Sequence, residues 1–225
     1  MNLQLKYFLL IAISVLLLSV ESSAQFTGRL DSLRKAHPMG FNEVLKTNPL
    51  PILWGPILLT GEYRLTYESV TSPKQSWQVS GSYLGKSLIF WAMEDSLMGD
   101  SIPDIKISGW RFQLSYKFYT DPNLKAPNGI YFAPLISYSH ATMWYEGYSK
   151  NLYNLKATYI FYGLTLGKQY IKNDRALDFF IGVGYRDVKW TETYKNQLSK
   201  LETDDFIISK SPIKFICGFN FGKAF

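Results

Sequence analysis

Hydrophobicity in this 225-residue chain repeats with a period of two. In GWRFQLSYKFY, Trp110, Phe112, Leu114, Tyr116 and Phe118 share one parity, and Arg111, Gln113, Ser115 and Lys117 share the other. A helix would spread those charges around its circumference, whereas a strand sends successive side chains to opposite faces. The apolar face has aromatics at both ends and leucine between them. A strand crossing a bilayer needs that order, with Trp and Tyr at headgroup level and aliphatics in the hydrocarbon. TGEYRLTYE sets Gly61, Tyr63, Leu65 and Tyr67 against Glu62, Arg64, Thr66 and Glu68. LDFFIGVGYRDV sets Leu177, Phe179, Ile181, Val183 and Tyr185 against Asp178, Phe180, Gly182, Gly184 and Arg186. The terminal KFICGFNFGKAF sets Phe215, Cys217, Phe219, Phe221 and Phe225 against Lys214, Gly218, Asn220 and Gly222.

Eight segments carry such patterning: 44–54, 57–69, 76–86, 105–120, 129–145, 154–171, 176–193 and 207–225. Each can supply the roughly 9–11 tilted residues of a bilayer crossing, and bacterial barrels have even strand numbers from eight upward. The expected fold is all-β: an eight-stranded antiparallel up-and-down transmembrane β-barrel over 43–225. Polar turns fall at 72–75, 121–128 and 172–176, and mostly longer connections at 87–104, 146–153 and 194–206; a tight WGP at 54–56 is the exception. Short turns belong in the periplasm and long loops outside. Pro49 and Pro51 sit in the first predicted strand. Their missing amide donors predict a weak seam or a bulge beside it.

The first 24 residues read as a signal peptide. Lys6 precedes the apolar run Tyr7–Val20, and Ser22 and Ala24 suit cleavage before Gln25. That run is shorter than the 18 or more residues of a spanning helix. No later run is long enough either; the longest, PLPILWGPILL, contains Pro49, Pro51 and Pro56. The segment 25–42 is then periplasmic, and GRLDSLRKA within it suits a short amphipathic helix. Cleavage removes one lysine and one glutamate, which leaves the net charge of +6 unchanged. The basic residues are scattered and no nucleic-acid motif accompanies them, so membrane phosphates are the better partner. With Cys217 the sole cysteine, no internal disulfide is available, and the residue reads as a small apolar side chain.

Both termini on the periplasmic side would bring Phe225 to the inner rim. The alternating end with Phe219, Phe221 and Phe225 resembles the assembly signal of Gram-negative outer-membrane barrels. The mature chain resembles the eight-stranded OmpA/OmpX-type barrels. More closely, NPLPILWGPILLTGEYRLTYE, APNGIYFAPLISYSH and the LGKQ…LDFFIGVGYR region are similar to a family of small outer-membrane barrels of unknown function. That likeness covers most of 43–225. It implies an integral outer-membrane protein whose partners are membrane lipid, lipopolysaccharide and the barrel-assembly machinery, with no catalytic residue or cofactor to carry over. Lys223 departs from the signature, at a cost of about 0–1 kcal/mol near the interface.

An eight-stranded barrel is just wide enough for side chains to fill. By parity, Glu62, Arg64, Glu68, Arg111, Gln113, Lys117, Asp178 and Arg186 enter it. Buried charges must be paired, so the expectation is an internal ion-pair network and no open pore. Gly163, Gly167, Gly182, Gly184, Gly218 and Gly222 share the inner parity and would make room for long side chains. Gly-Val-Gly at 182–184 lacks the rest of a dinucleotide motif.

Chemistry is sparse. His37 and His140 are the only histidines, too few for a His-based metal site, and no cofactor is expected. Ser137, Ser139, His140 and Glu146 lie together in sequence. A lipid A acyl hydrolase would need such a nucleophile, base and acid near the outer leaflet. Ser139 and His140 are adjacent on a strand, however, and point apart; His140 shares the lipid-facing parity of Ile136 and Tyr138. Glu94, Asp95, Asp100 and Asp104 form an acidic loop without EF-hand spacing. The leading expectation is a structural or surface-interaction barrel that presents loops 87–104 and 194–206 to an extracellular ligand. A lipid A-modifying enzyme using His140 and a small transport channel are the alternatives.

Overall fold

A computed structural model describes residues 41–53, 60–93, 105–146, 152–194, 197–201 and 211–225. The expected signal peptide and its cleavage site, nearly all of 25–42, the WGP turn, His37, and the acidic residues Glu94, Asp95, Asp100 and Asp104 lie outside the described residues.

The elements in chain order are β1 (Glu43–Thr47), α1 (Leu50–Leu53), β2 (Thr60–Ser72), β3 (Gln75–Lys86), α2 (Leu88–Met93), β4 (Ile105–Tyr119), β5 (Gly129–Glu146), β6 (Leu152–Lys172), β7 (Arg175–Tyr194), β8 (Gln197–Leu201) and β9 (Ile213–Ala224). Strands β1 to β7 pair antiparallel in sequence order, β7 pairs with β9, and β9 returns to β1. The result is an all-β, closed, up-and-down barrel of eight strands. The ninth strand, β8, is an annex that pairs only with Trp190–Tyr194 of β7. It falls where the sequence suggests a loop, as does α2 at the start of the 87–104 connection.

The end strands differ most from expectation. β1 stops at Thr47 rather than at 54, and β9 starts at Ile213 rather than at 207. The reason for the first is local. Asn48 Oδ1 accepts a bond from the Leu50 amide at 3.2 Å, and the Pro49 carbonyl accepts from the Ile52 amide at 3.2 Å. The chain therefore turns into α1. Pro51 sits in the first turn of that helix, where an amide has no intrahelical partner to lose. The prolines are thus outside the ladder, and the expected proline-weakened seam takes another form. β1 is simply short: Val44–Thr47 pair with Phe221–Ala224, and Glu43–Thr47 pair with Leu65–Ser69. Beyond Thr47, Thr60–Arg64 of β2 and Ile213–Asn220 of β9 have no β1 partner among the described residues. α1 packs against β2 there.

One end of the barrel is held by tight turns and the chain end. Pro73-Lys74 joins β2 to β3, and Lys74 Nζ ties the neighbouring 121–128 connection through the carbonyls of Asp121, Pro122 and Leu124. Asn173 turns β6 into β7 with φ of 60°, a conformation that Asn adopts more readily than most residues. The Phe225 amide donates to the Glu43 carbonyl at 2.9 Å.

Burial runs opposite to that of a water-soluble protein. Lys46, Glu62, Glu68, Lys117, Gln169 and Asp178 are buried, while Leu65, Phe112, Leu166, Phe179 and Ile181 are exposed. On the outer face of β2 the order is Tyr63, Leu65, Tyr67; on β6 it is Tyr162, Leu164, Leu166, then Lys168 over the ring of Tyr170. Aromatic contacts cross the ladders in both rows: Trp110 with Tyr138 at 5.3 Å, and Phe118 stacked on Phe132 at 4.9 Å. The outer surface is a continuous apolar band rather than the scattered apolar residues of a soluble monomer.

Gly222 lies where β1 and β9 close the ring, opposite Lys46. A Cβ there would collide with the Leu45 carbonyl oxygen and come within 2.7 Å of the Lys46 Cα. Gly81, by contrast, faces outward with open space around it. Gly222→Val should cost at least about 1–3 kcal/mol and sharply reduce the fraction that folds in detergent, read as the compact unboiled gel band. Gly81→Val should fold normally. Equal folding of the two variants would remove this account of closure.

Candidate functional site

The lumen holds a polar layer to which every barrel strand contributes. Lys46 Nζ of β1 pairs with Glu68 of β2 and also meets Gln78 of β3 at 2.9 Å, Gln169 of β6 at 2.8 Å and Asp178 of β7 at 2.9 Å. Lys117 Nζ of β4 donates to Gln169 at 2.8 Å, Asp178 at 2.9 Å and Glu68 at 3.3 Å, and lies 4.0 Å from the centre of the Tyr131 ring. Tyr131 of β5 donates to Asp178 at 2.6 Å, and Asn220 of β9 donates to the same carboxylate at 3.1 Å. Tyr119 and Ser76 each donate to Glu68 at 2.6 Å. Two lysines thus face two carboxylates, and the hydrogen bonds offset the desolvation that makes buried ion pairs costly. Gly167 makes one of these contacts possible. A Cβ there would lie 2.5 Å from the Tyr131 hydroxyl.

A second cluster lies nearer the opposite end. Glu62 accepts from Arg64 Nε at 2.9 Å and Nη2 at 2.7 Å, from Arg111 Nη1 at 2.6 Å and from Ser82 at 2.8 Å. Arg111 Nε also donates to Ser139 at 2.7 Å. Above the polar layer and alongside this cluster is a cavity of about 720 Å³. Lys117, Tyr131, Asp178 and Asn220 form its floor. Its walls include Ile107, Leu135, Leu155, Phe161 and Val188, interrupted by Arg64, Arg111, Arg186 and Lys214. The lumen is therefore filled near the tight turns and hollow toward the long connections.

The inward parity of Glu62, Arg64, Glu68, Arg111, Lys117 and Asp178 is the face on which the structure places them, divided between the two clusters. Arg186 also points inward and lines the cavity, outside the polar layer. Phe219, Phe221 and Phe225 lie on the outer face of β9 and beyond it. The sequence pattern does not single out Lys46, Gln169, Tyr119, Tyr131 or Lys214 as members of a site. Lys46 does carry a readable signal, because Val44, Lys46 and Asn48 alternate as buried positions with Leu45 and Thr47.

Ser139 and His140 do not converge. Ser139 is buried in the lumen, where its hydroxyl accepts from Arg111. His140 points outward and its Nδ1 lies 3.0 Å from the Thr158 hydroxyl, beside the Trp110 position of the neighbouring strand. Glu146 ends β5, and its side chain lies outside the described atoms. Among the described residues no group of three or more His, Cys, Asp or Glu is placed to hold a metal ion.

The chain is similar in structure to a major outer membrane protein from Thermus thermophilus, with 11% identity and a TM-score of 0.46 over 82% of this chain and 98% of that one. No protein-family model and no curated protein matches it.

Removing one partner of the polar layer leaves an uncompensated buried charge, at a typical cost of about 3–5 kcal/mol. Lys46→Met should therefore lower the urea midpoint of the folded barrel by the equivalent of about 3–5 kcal/mol. Adding Asp178→Asn should recover part of the loss. Strict additivity of the two substitutions would show that the charges are not coupled.

Proposed function

We infer that this chain is an integral outer-membrane β-barrel with a stoppered lumen, in a structural or surface-interaction role. The observation that carries the reading is the inverted burial: an aromatic–aliphatic–aromatic outer band around a buried ionic layer. Water would favour the reverse, whereas a barrel in lipid pairs its strands around the ring and leaves the apolar face in hydrocarbon. The polar layer joins all eight barrel strands, and this supports a scaffold rather than a conducting channel. With the tight turns and the C-terminus in the periplasm, the connections over 87–104 and 194–206 face outward, available to an extracellular ligand. The outward phenylalanines of β9 suit recognition by the barrel-assembly machinery, and the outer band suits contact with lipid and lipopolysaccharide. This is the sense in which the chain is OmpA/OmpX-like. The opposed directions of Ser139 and His140 argue against the lipid A hydrolase.

The test is gel mobility of the detergent-folded mature protein, boiled against unboiled, with fractionation of the producing cells. A heat-dependent shift and recovery in the outer membrane are expected. A soluble periplasmic protein without a shift would overturn the reading. Planar bilayers containing the folded protein should show no steady conductance, and regular single-channel steps would restore the channel alternative. His140→Ala should leave lipid A acylation unchanged, and altered acylation would reinstate the enzyme.

A further inference from the structure

We propose that Lys172, Arg175 and Lys223, with Lys168 beside them, form a headgroup site for an anionic phospholipid of the leaflet at the tight-turn end of the barrel. The proposal rests on the reading of the barrel as membrane-spanning. The register of these cations, their confinement to one side of the ring and the apolar surface next to them carry it.

The register sets like charges against each other. Lys172 of β6 is directly opposite Arg175 of β7, and Arg175 is directly opposite Lys223 of β9. All three are exposed, on the outward parity of Tyr170, Leu177 and Phe221. Like charges in opposed positions destabilise a sheet. The acids nearby answer them only in part. Asp174, in the turn between β6 and β7, meets Lys223 at 3.4 Å. Asp121 acts on Lys168 from the neighbouring connection. Glu43 lies across β9 on β1, where the Tyr67 hydroxyl engages it. Among the described residues no carboxylate forms an ion pair with Lys172 or Arg175. An anion between these two side chains relieves their repulsion. A phosphate suits them, because its oxygens match both the guanidinium fork and the ammonium.

Among the outward strand positions at this end, positive charge is confined to one side of the ring. The corresponding residues of β2, β3, β4 and β5 are Thr71, Gln75, Phe118 and Ile130, all uncharged. The Tyr116 hydroxyl joins Thr71 and Gln75 there, each at 3.0 Å. Lys74, in the β2–β3 turn, gives its ammonium to three carbonyl oxygens. A basic girdle set by depth alone would run round the ring, whereas a single headgroup needs one cluster.

The adjoining surface is apolar. One outward step from the cations along each strand are Tyr170, Leu177 and Phe221, all exposed. They form a row of their own, with Tyr170 opposite Leu177 and Leu177 opposite Phe221. Lys168 Nζ lies 4.8 Å from the centre of the Tyr170 ring, so a fourth cation borders the same surface while its stem covers part of it. A partner that matches both rows has a phosphate at the water boundary and hydrocarbon next to it. An anionic phospholipid has that build, and basic residues at a membrane surface attract it.

The experiment uses mature protein folded in detergent that shows its heat-dependent gel shift. Dioleoylphosphatidylglycerol or zwitterionic dioleoylphosphatidylcholine is added, and bound lipids are counted by native mass spectrometry. The first phosphatidylglycerol should bind at a concentration at least about fivefold lower than phosphatidylcholine. Lys172→Gln combined with Arg175→Gln should remove that preference. Lys156→Gln combined with Lys189→Gln, the same change of charge on outward positions toward the other end of β6 and β7, should leave it intact. Asp174→Asn works in the opposite direction: releasing Lys223 should tighten phosphatidylglycerol binding about twofold or more. This variant keeps the test open should the double substitution not fold. Equal binding of the two lipids, equal loss in both double variants, or unchanged affinity in Asp174→Asn would each overturn the site. Displacement of the lipid by an equal concentration of soluble glycerol phosphate would show an ion site instead, and would overturn it too. A protein that shifts on heating and fractionates with the outer membrane but shows no lipid preference loses this site alone, and keeps its place in the membrane.

Discussion

The ionic layer around Lys46, Glu68, Lys117 and Asp178 is the constraint on which the rest of the barrel depends. A barrel with its apolar face outward keeps only small apolar clusters inside, here around Val70, Tyr119 and Ala133 and around Val44, Ile171 and Ala224. Much of its interior cohesion comes from polar contacts, and these are directional where hydrophobic contacts are not. Lys46 and Asp178 lie 132 positions apart in the chain and meet at 2.9 Å. A slip of one residue in any ladder would turn the side chains of that strand to the other face. Charges would then enter lipid and aromatics would crowd the lumen. The layer therefore selects the register that the ladders alone would leave degenerate.

Lys46 also explains how so short a first strand completes the ring. β1 offers only Glu43–Thr47 to its two neighbours, a small ladder for the seam that closes a barrel. Its buried lysine adds contacts to strands that β1 does not touch along the ladder, β3, β6 and β7 among them. Past Thr47 that support ends, and Asn48 and the prolines redirect the chain into α1.

The placement of polar groups also bears on catalysis. Ser139, His140, Arg111 and Glu62 include the residue types of a hydrolase, yet the pleat sends Ser139 to Arg111 and His140 to Thr158. Hydrolysis by a serine needs a base within reach of its hydroxyl.

Alternation is a property of each segment by itself, so the sequence was sufficient to determine strand character, the number of crossings, and which face of β2, β4 and β7 carries charge. Glu62, Glu68, Lys117 and Asp178 were legible as interior residues for that reason. Lys46 stood in a strand whose alternation is brief and whose continuation into Pro49 and Pro51 looked extended, and Tyr119 and Tyr131 belong to a residue type that the outer band also uses. Which charge meets which could not be read locally. Partners across the lumen depend on the tilt and stagger with which eight strands close, a quantity shared by all of them and encoded in none. Only the tertiary structure decided the layer and the cavity above it, because each arises from the fit between strands rather than from the pattern within one.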